Sequence, residues 1–156
     1  MNRLLFPLLT LSSFLLFALP AAGFECTNSG AGGPADDNNF VGNTACGTAT
    51  ASGDFSTVVG ASATSAGVQS TALGASATSG GNDSVALGAQ ANSGGILSTA
   101  VGRLAVSSGQ QSLAVGSSAS AGDSGVSLGA EANAIVGEGT AVGAFATAGS
   151  FAGTAV

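Results

Sequence analysis

From Thr44 onward the chain repeats one short phrase: a threonine or aliphatic residue, a small residue, a branched aliphatic, then glycine, as in "TALG", "VALG", "LAVG" and "TAVG". The closing glycines are Gly47, Gly60, Gly74, Gly88, Gly102, Gly116, Gly129 and Gly143, in steps of 13 or 14 residues. Internal periodicity of this kind marks a repeat architecture and takes precedence over other fold reasoning. Large and small residues alternate within each phrase, so successive side chains point to opposite faces of a strand. A helix is excluded because glycine recurs too often for one to persist. Each repeat therefore predicts a strand, a glycine turn, a second strand and another turn, such as "AGVQS", "GGNDS" or "SGQQS". Stacked, such repeats form an all-β parallel solenoid of 13- to 14-residue coils. With neighbouring strands ~4.8 Å apart, nine phrases span roughly 38 Å.

Residue size then assigns the faces. The column Val59, Leu73, Leu87, Val101, Val115, Leu128 and Val142 is expected inside as the repeat core, since exposing each side chain forfeits about 1.5–3 kcal/mol. Threonines two places earlier, Thr57, Thr71, Thr99, Thr140 and Thr154, share that inward face, and Cys46 joins the aliphatic column. The intervening Ala45, Val58, Ala72, Ala86, Ala100, Ala114, Ser127 and Ala141 are expected outside, as a flat wall suited to an oligomer contact. On the second strand, Ala77 with Ser79 and Ala119 with Ala121 point inward. Thr64, Thr78, Asn92, Ser120, Asn133 and Thr147 point to water. Among the alanines that follow each glycine, Ala63 through Ala146, only the first repeat departs, with Thr50.

Composition agrees with a stack of small residues. The 156 residues include 26 glycines, no tryptophan, tyrosine or histidine, and only 6% charged residues. The N-terminus, "MNRLLFPLLTLSSFLLFALPAAG", places Arg3 before an apolar run and ends it in small residues, which reads as a signal peptide over residues 1–23. The run is short of the roughly 20 apolar residues that a span needs, so no membrane span is expected after cleavage. Glu25 directly before Cys26 argues against a lipoprotein signal. Without Arg3, eight acids face Arg103 alone, a net charge of -7. Nucleic-acid binding, which needs clustered basic residues, is excluded. Export into an oxidising compartment permits a disulfide between Cys26 and Cys46, the only cysteines. Residues 24–43 then form a cap or linker ahead of the repeats at 44–156.

The phrases "STALGASATSGG", "DSVALGAQANSGG" and "STAVGRLAVSSGQQ" resemble the head repeats of YadA-like trimeric autotransporter adhesins. Ser84, Val85, Ala86, Leu87 and Gly88 carry the likeness best, followed by Ser112–Gly116 and Ser98–Gly102. The resemblance implies a left-handed parallel β-roll, a homotrimer of rolls packed side by side, and a bacterial cell-surface adhesin head. Its ligands would be extracellular matrix, polysaccharide or another cell.

Nothing in the sequence calls for catalysis, a cofactor or a metal. No histidine is available as a general base. The Asp36–Asn39 run fails the calcium-loop spacing, because Val41 and Thr48 fall where ligands belong. "GEGTAVG" from Gly137 lacks the helix that a dinucleotide site needs. A non-enzymatic adhesin head is the leading expectation; an ice-binding or self-associating structural solenoid is the alternative. The period places a glycine at position 157, just past Val156, so the sequence reads as a repeat interrupted partway.

Overall fold

The computed structural model describes residues 26–28 and 42–156; the signal peptide at 1–23 and the acidic run at 36–39 lie outside them. In chain order the strands are β1 Cys26–Asn28, β2 Thr44–Cys46, β3 Thr50–Ala51, β4 Thr57–Val59, β5 Thr64–Ser65 and β6 Thr71–Leu73. There follow β7 Thr78–Ser79, β8 Val85–Leu87, β9 Asn92–Ser93, β10 Thr99–Val101, β11 Val106–Ser107 and β12 Leu113–Val115. The last are β13 Ser120–Ala121, β14 Val126–Leu128, β15 Asn133–Ala134, β16 Thr140–Val142 and β17 Thr154–Ala155.

From β2 to β16 the strands alternate between two sheets, β17 rejoins the first, and all pair in parallel with the matching strand of the next coil. The first sheet holds ten strands, β1-β2-β4-β6-β8-β10-β12-β14-β16-β17, and the second seven, β15 back to β3. Equivalent residues pair across coils, as Thr71 with Val85 and Leu73 with Leu87. The expected parallel β-solenoid is therefore the observed fold.

The assignment of faces on the first sheet is reversed from the size argument. Ala45, Ala72, Ala86, Ala100, Ala114 and Ala141 are fully buried, as is Val58, and Ser127 holds the same position. The column expected as core points outward. Leu73, Leu87 and Val142 are 42%, 40% and 37% exposed, and Val59, Val101, Val115 and Leu128 are half-buried. Thr57, Thr71, Thr99, Thr140 and Thr154 turn outward with them. The alanine wall is thus interior and can make no oligomer contact. The physical reason is the width of the coil. Only Gly74, Ala75, Ser76 and Ala77 join β6 to β7, so the two sheets lie too close for leucine to fit between them.

Inside, methyls and hydroxyls fill the gap. The second sheet contributes Ala77 and Ser79, Ala91 and Ser93, Ala105 and Ser107, all fully buried. The first coil is one residue shorter, so Ala49 takes the inward place and Thr50 pairs with Thr64. That removes the apparent break at Thr50.

The buried serines satisfy one another. Ser79 Oγ lies 2.6 Å from Ser84 Oγ, and Ser84 Oγ donates to Gly81 O at 2.5 Å. The same pair recurs as Ser93 with Ser98 and Ser107 with Ser112, both at 2.6 Å, and as Ser65 with Ser70. Where one partner disappears further along, so does the other: Ala121 is followed by Gly125, and Ala134 by Gly139. The exception is Ser56. Its partner position holds Ala51, and its buried Oγ has no hydrogen-bond partner. Ser56→Ala should therefore leave stability unchanged or raise it by up to ~1 kcal/mol, whereas Ser84→Ala, which orphans Ser79, should cost about 1–3 kcal/mol. Chemical denaturation of the two variants checks the contrast.

Candidate functional site

Three surfaces are available to a partner: the outer faces of the two sheets, and the turns. The outer face of the ten-stranded sheet carries two side chains per coil, because only the first and third residues of each strand point out. They are Thr57 and Val59, Thr71 and Leu73, Val85 and Leu87, Thr99 and Val101, Leu113 and Val115, Val126 and Leu128, and Thr140 and Val142. No charged side chain interrupts them. Seven coils at ~4.8 Å make an apolar strip close to 30 Å long. Contiguous apolar surface on that scale marks an interaction face.

The opposite face is neutral and polar. Thr64, Thr78, Asn92, Ser120, Asn133 and Thr147 stand half-buried or exposed on it, as their alternation indicates. Val106 is the one aliphatic residue in their column. Between them the chain offers small residues, Ala66, Gly80, Gly94 and Ser108, until Ile135 stands exposed in the same column just after β15. Up to that point the face is consequently flat, with hydroxyls and amides at the coil spacing.

The turns hold all the charges among the described residues: Asp54, Asp83, Arg103, Asp123, Glu131 and Glu138. They are spread along the stack, and no group of three or more acidic, histidine or cysteine side chains among the described residues could hold a metal ion. Turn side chains act on backbone instead, Thr48 Oγ1 accepting from Ser62 N at 3.1 Å among them. Asn82 Oδ1 accepts from Val68 N at 3.0 Å, and Asp123 Oδ1 from Gln110 N at 3.0 Å, each tying one coil to the next. Among the described residues the coils enclose no cavity, and no helix is long and apolar enough to cross a membrane.

Two features of the turns escape a reading of the sequence by glycine phrases. One is a second glycine column, Gly53, Gly67, Gly81, Gly95 and Gly109, where an added Cβ would strike the next coil's backbone at 1.8–2.1 Å. Its 14-residue spacing was visible in the sequence but hidden among neighbouring glycines. The other is backbone conformation. The closing glycines Gly47, Gly60, Gly74, Gly88, Gly102, Gly116, Gly129 and Gly143 all have positive φ, but among the described residues so do fifteen with side chains, including Phe55, Gln69, Leu97, Leu104 and Phe145. The αL conformation costs such residues about 1–2 kcal/mol each. Bonds between coils offset it, as Leu97 N donates to Asn82 O at 2.9 Å. Leu97 is 54% exposed, so Leu97→Gly should raise stability by about 1 kcal/mol, read as a higher thermal midpoint.

Residues 65–91 and 93–119 match the model of the YadA head domain repeat, one copy in each stretch. These two stretches cover the coils in which the serine pairs and the outward aliphatic strip are most regular. No protein in a comparison with curated sequences matches the chain.

Proposed function

We propose, from the premise that residues 65–91 and 93–119 are YadA head repeats, that this chain is the head of a trimeric adhesin. The YadA head is a structural adhesin module rather than an enzyme family. The chain is exported by its N-terminal signal and displayed at a bacterial cell surface. Three copies pack side by side through the aliphatic strip, and the polar sheet and the turns remain to contact matrix protein, polysaccharide or another cell.

The observation that carries this reading is the outward placement of Leu73, Leu87 and their column. A monomer would leave in water the largest side chains that its strands possess, while spending its interior on alanine and serine. Burial between copies removes that surface from water at about 25 cal/mol per Å². The test is sedimentation of the exported chain, followed by its retention on surfaces coated with matrix protein or polysaccharide. A trimer that is retained supports the reading; a monomer at tens of micromolar, or a trimer that none of these surfaces holds, counts against it.

A second reading has gained footing from the reversed faces. Thr57, Thr71, Thr99 and Thr140 now lie outward beside aliphatic residues, an arrangement that could order water as ice-binding solenoids do. Val85, Leu113 and Val126 interrupt the threonine ladder, which favours a protein contact instead. Thermal hysteresis in a freezing assay would reverse that preference.

A further inference from the structure

The first coil is closed differently from every other. β1 runs antiparallel to β2, whereas all other neighbours in both sheets are parallel. An antiparallel strand cannot be another coil of the solenoid, so β1 stands at the end of the sheet as a cover. Its register sets Cys26 opposite Cys46, Thr27 opposite Ala45 and Asn28 opposite Thr44. Cys46 is disulfide-bonded, and Cys26 is the only other cysteine in the sequence. Cys46 is 3% exposed.

A three-residue strand makes few bonds to its neighbour. A covalent link closing the loop from residue 26 to 46 adds to them, because it confines the released strand close to its partner. An uncovered edge is a template for pairing with another chain.

We propose that the Cys26–Cys46 disulfide is a redox clasp on this edge: closed, it keeps β1 on β2; opened, it frees Thr44–Cys46 to pair with the same strand of a second copy. The occupant follows from β1 itself, which shows that this edge accepts an antiparallel strand. A two-fold axis through Ala45 would set Ala45 against Ala45 and Thr44 against Cys46, a self-complementary contact that closes after two copies. Opening requires a dithiol reductant. Its thiolate attacks one cysteine sulfur, the S–S bond breaks, and its second thiol then displaces the mixed disulfide. Two electrons and two protons pass to Cys26 and Cys46, which leave as thiols, while the reductant leaves as a disulfide. The head-to-head contact lies at the end of the stack, so it does not depend on side-by-side trimerisation.

The experiment uses the whole exported chain, oxidised and after dithiothreitol, beside a Cys26→Ser/Cys46→Ser variant that mimics the open state in air. Hydrogen exchange and light scattering are followed together. On reduction, amides of Thr44–Cys46 should exchange at least about tenfold faster while those of Thr71–Leu73 do not change, and particle mass should double as concentration rises, whatever the starting assembly. The double variant should behave as the reduced chain. Unchanged exchange at Thr44–Cys46 would show that β1 stays without the bond. Equal acceleration at Thr71–Leu73 would make the bond a staple of the whole fold. A mass that never doubles would remove the second copy. Any of these overturns the proposal.

Discussion

Gly81→Ala should abolish the cooperative folding transition of the central coils, while Gly80→Ala, one residue earlier, should leave it intact. A Cβ at Gly81 would sit 1.9 Å from Gly95 O and 2.4 Å from its carbonyl carbon. Those atoms are backbone of the next coil, held there by the ladder that joins the sheets, and no side-chain rotation can move them away. Relief requires the coils to part locally, which breaks the bonds on either side, such as Gly81 N to Ser93 O and Leu97 N to Asn82 O. Stability in a stack is a sum over neighbouring coils, so one spoiled interface divides it in two. A loss above ~4 kcal/mol is expected, among the largest that a single substitution produces. At Gly80 an added Cβ meets nothing nearer than 4.0 Å, and the lost backbone freedom of the unfolded chain should make Gly80→Ala neutral or stabilising by up to ~1 kcal/mol. Circular dichroism melts of the pair decide it. Equal melts would mean that the coils do not stack as closely as Gly81 and Gly95 indicate.

The contrast between these neighbours shows what the sequence made legible. A period of 13 to 14 residues, with strands at fixed places in it, follows from counting glycines, and the observed strands β4, β6, β8 and their successors begin where the phrases do. Alternation also correctly divided each strand into two faces, and on the second sheet it put Ala77 and Ser79 inside and Thr78 outside. It could not say which face of the first sheet was interior. Alternation carries parity but no sign, and the sign was taken from size, a rule that presumes room for large side chains. Here the room is set by turns of four or five residues, and only Ala72 with its counterparts fits. The clue lay one residue upstream. Ser70, Ser84, Ser98 and Ser112 precede their strands and share the face of the alanines, and each has a second-strand serine five residues before it. Hydroxyls paired at that spacing are more economical inside a narrow coil than beside leucine. The αL turns were not legible, because Phe55, Leu97 and Phe145 are residues that local preference would keep out of such a conformation. They are held there by the neighbouring coil.

In the proposed trimer, replacing Leu73 and Leu87 together by aspartate should release monomers without unfolding the chain. Both side chains point out of the ten-stranded sheet, and neither contributes to the buried set of Ala72, Ala86, Ser79 and Ser84. Their loss should therefore leave the far-ultraviolet spectrum of the coils in place. Between copies the same change introduces two carboxylates per chain into surface that association would strip of water. Burial of unpaired charge is costly and mutual repulsion adds to it, so self-association should weaken at least about a thousandfold, equivalent to ~4 kcal/mol. A control on the opposite face, Thr64→Asp with Thr78→Asp, adds the same charge to the polar sheet and should leave assembly unchanged. Sedimentation velocity separates the outcomes. If both double variants assemble alike, the aliphatic strip is not the contact. If the leucine variant alone dissociates while retaining its β spectrum, the strip excluded from the interior by narrow turns is what joins the copies, and the same thinness that forbids leucine inside supplies the surface for assembly.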